Sequence, residues 1–333
     1  MFRSLLLGFL VLGACSHASH TSLSPLGEDE FVDVPGGVLL MGAEDGLPDE
    51  WPVVPVRVGA LRMQRTEVTN AQFARFVEAT GYVTTAEKAP EAAQLLANLP
   101  EGSPPIPAEL LVPGALTFTL GEGWSWTPGA NWRHPEGPRS SLVGREAYPV
   151  VQVSWDDACA FARWAGGRLP TEAEFEWAAR AGLVQQRYGW GSQANGEDGR
   201  WYCNSFQGEF PMHDSGEDGF AAVAPVAQFA ANAYGLHDLL GNVWEWCADW
   251  YRHDTLRNLA REPGLAESGS GPVDSHDPDE PGVAKRVMRG GSFLCHPQVC
   301  HGFRSSARMK STPDTGLMHT GFRVVRDAVP EQR

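Results

Sequence analysis

Residues 149–182 have the sequence PVVQVSWDDACAFARWAGGRLPTEAEFEWAARAG, which contains two helix starts of the same kind. Ser154 is followed three positions later by Asp157, and Thr171 is followed in the same way by Glu174. A hydroxyl before a helix and an acidic side chain at its third position satisfy free backbone N–H groups from both sides. Apolar residues then follow at helical spacing: Ala158, Phe161, Ala162 and Ala165, and later Trp177, Ala178 and Ala181. The stretch predicts two short amphipathic helices, the first ending at Gly166 and the second at Gly182.

Outside this stretch the sequence predicts one more capped helix and much irregular chain. Thr69 and Gln72 form another capping pair, the apolar stripe is Phe73, Phe76 and Val77, and Gly81 stands where a helix C-terminus favours glycine. The run PGGVLLMGAEDG at residues 35–46 is typical of a strand bounded by glycines. The chain holds 37 Gly, 25 Pro and 12 Trp, a mixture typical of a turn-rich fold. We therefore predict a single α+β domain with little regular secondary structure.

Two segments look like surface insertions, and several enzyme motifs are missing. Residues 91–145 are rich in Pro and Gly, and residues 253–285 are rich in Asp, Glu, Gly, Ser and Pro, so we expect both to lie on the surface. The sequence contains no 20–50-residue repeat, phosphate-binding glycine loop, zinc-protease helix or nucleophile elbow.

The charge balance limits the classes of molecule that the protein is expected to bind. Lys and Arg number 26 against 41 Asp and Glu, which gives a formal net charge of -15. An acidic surface repels nucleic-acid phosphates and anionic lipid headgroups, so nucleic-acid binding is not expected. Carboxylates do suit hard cations such as calcium, although most acidic excess is a solvated face.

The first residues are typical of an export signal. Arg3 precedes an apolar run that ends in Leu12-Gly13-Ala14-Cys15, which resembles a bacterial lipoprotein signal. We expect a signal peptide at residues 1–15, a lipid on Cys15 and a polar tether at residues 16–30. The main domain is expected at residues 31–327 and a tail at residues 328–333. The alternative is a plain secretory signal cleaved near Ala18; both versions predict an exported, periplasmic or secreted protein, which we expect to be a monomer.

The stretch RGGSFLCHPQVCHGFR, residues 289–304, has the densest set of reactive side chains. Cys295 and Cys300 lie five positions apart, and a histidine follows each. A pair of soft thiolates suits Cu(I). Zinc would need four ligands, and His296 and His301 would supply the two that the cysteines do not. An exported chain also favours a disulfide between the two cysteines, and the spacing alone does not decide among these three.

The whole pattern resembles the formylglycine-generating enzyme (sulfatase-modifying factor) family. Besides residues 289–327, the similar segments are EVTNAQFARFVEATGYVTTAEK, WRHPEGPRSS, the opening stretch, GEFPMHDSGEDGF and YGLHDLLGNVWEWCADW, in the family's order. The resemblance implies a core similar to a C-type lectin. It also implies an oxidase that uses O₂ to convert the cysteine of a Cys-x-Pro-x-Arg peptide in sulfatases to formylglycine. Both thiols of the family's catalytic branch are present, and the resemblance implies that they bind Cu(I).

The resemblance also assigns individual residues. Ser292 and His296 correspond to active-site positions, and Val299 stands where some relatives have tyrosine. Two calcium sites are implied, the first by Asn204, Ser205, Asp218 and Phe220, and the second by Asp238, Gly241, Val243 and Glu245. Side-chain and carbonyl oxygens on an irregular loop are typical calcium ligands. Capping of turns is the alternative role for Asn204, Asp218 and Asp238.

Two further points follow from the sequence. The disulfide positions of relatives from higher organisms are occupied here by Ala162, Ala179, Ser305 and Val324. Cys203 and Cys247 adjoin the calcium loops and are candidates to pair, whereas Cys159 on a helix is expected to be a buried apolar residue. Trp124, Trp126 and Trp132 are candidates to wall a peptide groove, with burial in the core as the alternative. Two other functions remain open: a non-catalytic lipoprotein scaffold, and an oxidative tailoring enzyme for another secreted substrate.

Overall fold

The computed structural model describes residues 25–91, 103–269 and 271–328. The predicted signal peptide, Cys15, residues 16–24 of the tether and residues 329–333 of the tail lie outside these ranges. Residues 25–30 belong to the tether prediction, yet they pack onto the domain. Leu26 is buried, and the Glu28 carboxylate accepts hydrogen bonds from Arg62 and Arg326. No helix in the described ranges is both long and apolar enough to cross a membrane.

The described residues form four α-helices, three of which begin as predicted. They are α1 (Asn70–Thr80), α2 (Trp155–Trp164), α3 (Glu172–Arg180) and the short α4 (Thr255–Leu259). Complete capping boxes start α1 at Thr69, α2 at Ser154 and α3 at Thr171. Helix α1 ends at the predicted Gly81, which is left-handed. Helix α3 instead ends at Ala181 with a φ of 44°, one residue before the glycine that the sequence suggested.

Replacing Ser154 by alanine is expected to lower the free energy of unfolding by about 1 kcal/mol. The Ser154 hydroxyl accepts a hydrogen bond from the Asp157 N–H at 3.1 Å and lies 2.8 Å from the Thr85 hydroxyl, so the change removes both contacts. Urea unfolding followed by circular dichroism measures the loss. Ser125→Ala on an exposed strand is the control and should stay within about 0.5 kcal/mol of the parent. Equal losses in the two variants would contradict the role of the cap.

Fourteen short strands complete the described fold. They are β1 (Phe31–Val34), β2 (Gly37–Met41), β3 (Val54–Val58), β4 (Leu61–Gln64), β5 (Gly114–Thr119), β6 (Gly123–Pro128), β7 (Gly208–Glu209), β8 (His213–Asp214), β9 (Trp244–Trp250), β10 (Ala266–Glu267), β11 (Arg286–Arg289), β12 (Met309–Ser311), β13 (Thr320–Gly321) and β14 (Val325–Asp327). Two three-stranded sheets have the orders β1-β4-β14 and β10-β3-β2, and two hairpins pair β5 with β6 and β7 with β8. The four-stranded sheet has the order β12-β11-β9-β13. The fold is α+β, as predicted.

The four-stranded sheet holds the segments that matter for the site. Strand β11 runs antiparallel to β9, which pairs Arg289 with Glu245, and β13 runs parallel to β9. The thiol-bearing stretch therefore leaves the sheet directly beside the second predicted calcium loop. Neighbouring strands here are distant in sequence, so helical and strand periodicity alone did not predict this order.

Aromatic rings fill the space between α1 and α2. Phe73 has its ring centroid 5.8 Å from that of Phe161, and it contacts Trp132 edge-on at 5.2 Å. Phe161 in turn contacts Phe322 edge-on at 5.3 Å. Offset and edge-to-face pairs at these distances add to the stabilisation from burial. The apolar stripes predicted for α1 and α2 face this core.

The prediction that residues 91–145 and 253–285 are surface insertions is wrong in part. The first contains the β5–β6 hairpin, which the buried Gln152 holds by donating to the Leu116 and Pro135 carbonyls. Trp132 from the same segment lies in the core. The second contains the buried Leu256. Pro and Gly content marks turns, but a turn-rich segment still buries side chains when it lies across the core.

The cysteines outside the thiol stretch are all free in the described residues. Cys203 and Cys247 are both buried as thiols, so the predicted pairing between them is wrong. Burial raises the pKa of both thiols well above its ordinary value, which keeps them protonated. Cys159 is half-buried on α2 and packs against the core. The four positions that the resemblance aligned with disulfides lie buried in the domain: Ala162, Ala179, Ser305 and Val324.

A buried ionic network anchors α3 to the four-stranded sheet. Arg289 donates to Glu172 at 3.1 Å and to Glu176 at 2.7 Å, and Arg308 binds the Glu172 carboxylate with both Nε and Nη2. Both arginines lower the pKa of Glu172 against the effect of burial, which alone raises it. Paired in this way, the charges satisfy one another away from water.

Replacing Asp249 by asparagine is expected to flatten the pH dependence of stability. Burial, and then the nearby Glu172, raise the pKa of Asp249 to about 7, compared with about 3.9 in an unfolded chain. Its stabilisation is therefore fully present below pH 4 and is lost as the pH rises towards 7. Asparagine keeps an oxygen for the Glu172 N–H, which donates to Asp249 Oδ2 at 2.6 Å.

Unfolding free energies at pH 5 and pH 8 measure this effect. The parent should lose more stability between the two values than Asp249→Asn does. Asp29→Asn, which changes an exposed carboxylate, is the control and should follow the parent. If the stability of Asp249→Asn falls with pH as steeply as that of the parent, the pH effect does not come from Asp249.

Candidate active site

A glycine turn presents the two thiols. Strand β11 is followed by Gly290 and Gly291, whose φ values are 97° and 81°. A Cβ on Gly291 would lie 2.6 Å from the Phe303 nitrogen, and one on Gly290 would lie 2.7 Å from the Leu239 carbonyl oxygen. Only glycine fits this backbone path. The turn places Ser292 directly before the loop that carries Cys295 and Cys300.

The two predicted thiols face each other. The Sγ atoms of Cys295 and Cys300 are 2.6 Å apart, and both residues are free cysteines. This separation exceeds the S–S bond of about 2.03–2.05 Å, yet it is short enough for oxidation to join the sulfurs. Cys295 is 1% exposed, whereas Cys300 is half-buried. Cys300 is therefore the thiol nearer to solvent.

The pKa values of the two thiols are shifted in opposite directions. Burial raises the pKa of Cys295 well above its ordinary value. A hydrogen bond from Cys295 lowers the pKa of Cys300. The Ser292 N–H donates to Cys295 Sγ at 3.4 Å, and the Ser292 hydroxyl lies 4.0 Å from the same sulfur. Cys300 therefore ionises first, and Ser292 lies next to the inner thiol as predicted.

The two histidines do not complete a tetrahedral site. His296 Nδ1 accepts a hydrogen bond from the Gln298 N–H within its own loop, and its ring contacts Phe206 edge-on at 6.1 Å. His301 is exposed. Across residues 25–91, 103–269 and 271–328, no three His, Cys, Asp or Glu side chains are grouped closely enough to hold a metal. The zinc alternative with His296 and His301 is therefore not assembled.

Trp244 and Gly302 were missed by the sequence analysis. A Cβ on Gly302 would meet the Trp244 ring at 2.4 Å and Cys295 Sγ at 2.7 Å. Glycine here lets the indole and the thiol lie close together behind the loop. The only sequence signal was a glycine directly after Cys300-His301.

The three tryptophans predicted to wall a groove separate in the structure. Trp132 is buried against Phe73 and belongs to the core, so its assignment to the groove is wrong. Trp124 is exposed on β6, with its ring 4.7 Å from that of His319. The Trp126 Nε1 atom is buried without a partner. Of the three, Trp124 offers an aromatic face to solvent.

In the first predicted calcium loop, Asp218 is hydrogen-bonded to Ser205 and Phe220. Asp218 Oδ2 accepts from the Ser205 N–H at 3.0 Å, and Asp218 Oδ1 accepts from the Phe220 N–H at 2.9 Å. The Gln207 side-chain amide donates to Asp218 Oδ2 at 2.7 Å and also to the Ser205 carbonyl. Asn204 Oδ1 is buried without a partner. A neutral amide donor already lies between two of the predicted ligands, and the oxygen of a third has no donor, so the loop offers oxygens of the kind that a hard cation takes.

The second predicted loop is sharply curved and acidic. Asp238 and Asn242 both have a φ of 55°, and Gly241 between them has a φ of 85°. Asp238 Oδ2 accepts from the Ala227 N–H at 2.6 Å. Val243 is fully buried, and Glu245 follows it on β9. All four predicted ligands therefore lie on one tight turn and the strand that leaves it.

A third carboxylate lies near this loop. Glu67 is fully buried, and its carboxyl hydrogen-bonds that of Asp238. Burial raises the pKa of Glu67 well above its ordinary value, and the carboxylates of Asp238 and Glu245 raise it further. Arg323 donates to both oxygens of Glu245, at 2.7–3.0 Å. One arginine faces three buried carboxyl groups, but their side chains are not grouped closely enough to hold a metal by themselves. A divalent cation here would therefore also need the predicted carbonyl ligands of Gly241 and Val243.

Comparison with known proteins gives a consistent result. A family model described as "Sulfatase-modifying factor enzyme 1-like domain" matches residues 19–328. The formylglycine-generating enzyme of Thermomonospora curvata is 48% identical over 301 residues, covering 89% of this chain and 93% of that protein. A mouse protein named inactive C-alpha-formylglycine-generating enzyme 2 is 36% identical, covering 90% and 86%.

Among solved structures, PvdO from Pseudomonas aeruginosa matches with a TM-score of 0.58 and 24% identity. The match covers 90% of this chain and 94% of PvdO. At this identity the likeness concerns the fold alone. The sequence relatives include proteins named as enzymes and proteins named as inactive. The side chains at the site therefore have to separate these possibilities.

Proposed function

The chain belongs to the sulfatase-modifying factor family, and on that premise we propose that it converts a cysteine of sulfatase polypeptides to formylglycine. The proposed substrate is a Cys-x-Pro-x-Arg peptide, the oxidant is O₂, and Cu(I) bound by Cys295 and Cys300 is the cofactor. The observation that carries the proposal is the pair of free thiols facing each other at 2.6 Å beside Ser292.

The residues present fit Cu(I). Two sulfur donors without a third side-chain ligand suit a soft metal with a low coordination number, and Cu(I) would supply an electron-rich centre that reacts with O₂. Because metal–sulfur bonds are about 2.3 Å long, as for zinc, the two Sγ atoms have to separate from 2.6 Å to hold an ion. Cys300 belongs to an exposed loop, so we assign that movement to Cys300 rather than to the buried Cys295.

We infer the approach of the substrate from the exposure of the surrounding residues. Val299 is 60% exposed and His301 is exposed, so the loop is open on the side of Cys300. Trp244 packs behind Gly302 and closes the opposite side of Cys295 to water. Substrate cysteine would therefore enter past Cys300, with Val299 giving an apolar rim and His296 lying beside the inner thiol.

Peptide conversion is the direct test. Replacement of the substrate CH₂SH by CHO consumes O₂, two electrons and two protons, and releases hydrogen sulfide and water, so the assay includes a thiol reductant. The purified full-length chain is loaded with one equivalent of Cu(I) and incubated with a Cys-x-Pro-x-Arg peptide. Mass spectrometry and hydrazone formation should report the aldehyde, and a peptide with serine in place of cysteine should give none. No aldehyde with metal-loaded, reduced protein would reject this activity and leave the non-catalytic scaffold and the oxidative tailoring enzyme as the alternatives.

We also propose calcium at both acidic loops. The supporting observations are the unpaired Asn204 Oδ1 and the three carboxyl groups around Arg323. Ligand that binds only the folded state stabilises it by about 2.7 kcal/mol at one hundred times Kd. Calcium should raise the thermal unfolding midpoint, and a chelator should reverse the change; an unchanged midpoint would reject both sites.

The place of action is a further proposal. Lipid attachment at Cys15 would hold the enzyme on the periplasmic face of a bacterial membrane, where it would meet exported sulfatases before they fold. Radiolabelled palmitate should enter the parent chain and not Cys15→Ser. A labelled Cys15→Ser protein would contradict the lipid anchor.

A further inference from the structure

Asn242 lies on the turn of the second proposed calcium loop, and its side chain reaches a residue of the first. It is 1% exposed, and its φ of 55° turns the chain sharply. Its Oδ1 accepts from Asn204 Nδ2 at 3.1 Å, and its Nδ2 donates to Glu67 Oε1 at 3.0 Å. Ala224 fixes the amide further, donating its N–H to Oδ1 at 2.9 Å. One side-chain amide therefore connects a residue of the first loop to a carboxylate beside the second.

One end of this connection carries an unpaired buried oxygen, and the other end carries a pair of carboxyl groups. Asn204 Oδ1 has no hydrogen-bond partner, whereas the Glu67 carboxyl hydrogen-bonds the Asp238 carboxyl beside the second loop. An unsatisfied buried polar atom destabilises the folded state, and a cation beside it would remove that cost. A cation at either loop would therefore fix the side-chain orientation at one end of the hydrogen-bond chain Glu67–Asn242–Asn204. Through the Asn242 amide, this would favour the side-chain orientation that binds a cation at the other loop.

The backbone of the same turn holds the thiols. The Phe293 N–H donates to the Asn242 carbonyl at 2.8 Å, and the Gly241 N–H donates to the Gly290 carbonyl at 2.8 Å. The Phe206 N–H donates to the Cys295 carbonyl at 3.1 Å. Both calcium loops are thus bonded directly to the turn that carries Ser292 and Cys295.

We propose that Asn242 is a positioning residue that couples calcium in the two loops to the geometry of the thiol pair. Calcium orders the loops, the loops hold the glycine turn, and the turn keeps Cys295 buried against Ser292. The proposal rests on the proposed function for its Cu(I) prediction only, because the effect on the thiols themselves needs no copper. Coupling of this kind is reciprocal and typically changes affinity by about 5–150-fold.

The first test measures thiol accessibility without copper. Full-length reduced protein is alkylated with iodoacetamide in calcium or chelator, and mass spectrometry follows the peptide holding Cys295 and Cys300. Calcium should slow alkylation of Cys295 at least fivefold because the buried thiol reacts only when the turn opens. Cys159 on α2, half-buried and not on either loop, is the internal control and should react at one rate in both conditions. Equal Cys295 rates with and without calcium would overturn the proposal.

The second test assigns the effect to the Asn242 side chain. Asn242→Gly keeps the positive φ and the backbone bonds to Phe293 and Asn204 but removes the amide, so the calcium effect on Cys295 should vanish. Gln185→Gly is the matched control, since Gln185 has a φ of 50° and an amide that donates to the Leu40 carbonyl at 2.7 Å. If Asn242→Gly does not fold, Asn242→Asp, which keeps one acceptor and loses the donor to Glu67, replaces it. A full calcium effect in the Asn242 variant would overturn the assignment.

The copper measurement separates this proposal from the proposed function. Competition with a chromophoric Cu(I) chelator under anaerobic conditions should show calcium raising the Cu(I) affinity of the parent at least fivefold and leaving that of Asn242→Gly unchanged. A parent that binds no Cu(I) but still shows the calcium effect on Cys295 alkylation rejects the oxidase and keeps the coupling. If the parent binds Cu(I) equally tightly in calcium and in chelator, and Cys295 is alkylated at the same rate in both, the coupling is rejected while the oxidase proposal stands.

Discussion

Cys295→Ser is expected to lower kcat/KM for formylglycine formation by on the order of 10³-fold or more, because it removes one of two ligands on which the chemistry depends. The substitution is nearly isosteric, and the serine hydroxyl can still accept from the Ser292 N–H that now reaches Cys295 Sγ at 3.4 Å. Oxygen is a harder donor than sulfur and binds Cu(I) poorly. The variant should therefore fold and lose stoichiometric Cu(I) binding together with activity.

Two further variants give this prediction its controls. Cys300→Ser should be as inactive as Cys295→Ser, since the proposed ligands act as one unit. Cys159→Ser changes a free, half-buried thiol on α2 and should keep both activity and Cu(I) stoichiometry. Thermal unfolding of all three variants shows whether the fold is intact. Aldehyde formation at the parent rate by a folded Cys295→Ser protein would contradict the copper-thiolate mechanism.

The sequence predicted local features of the site better than its surroundings. The spacing of Cys295 and Cys300 and the glycines before Ser292 were visible because they lie within a dozen residues. Trp244 and Glu67 reach the site from segments more than forty residues away, so no local pattern marked them. Their roles depend on the order of strands in the four-stranded sheet and on backbone turns with positive φ at Asp238 and Asn242.

In the fold as well, local features were predicted from the sequence and long-range contacts were not. Helices α1, α2 and α3 were predictable because capping boxes are local and favour one helix start. The burial of Trp132 and the free state of Cys203 and Cys247 were not, because both depend on contacts between distant segments. The α+β class and family followed from the ordered motifs, and the family match over residues 19–328 confirms the latter.

Charge burial links the fold to the proposed metal loops. Glu172, Arg289 and Arg308 form a network in which each carboxylate oxygen faces an arginine. Around Arg323 the balance differs, since Glu67, Asp238 and Glu245 share a single guanidinium. The first arrangement is complete without a ligand, whereas the second gains from a cation. Removal of Arg323 is therefore the sharpest test of how the domain supports this excess of negative charge.

Arg323→Met should lower the free energy of unfolding in chelator by about 3–5 kcal/mol, because it leaves a buried charge without its partner. Arg323 is fully buried and also donates to the His237 carbonyl at 2.9 Å and the Gln64 carbonyl at 3.2 Å, so the variant frees two carbonyls as well. Calcium should restore more stability to the variant than to the parent, since Glu245 then lacks any other positive group. Denaturant unfolding with and without calcium measures both quantities. Arg62→Met is the control, because its partners Glu28 and Asp33 are exposed, and it should cost at most about 1 kcal/mol. A calcium response in Arg323→Met no larger than that of the parent would contradict a cation beside Glu245.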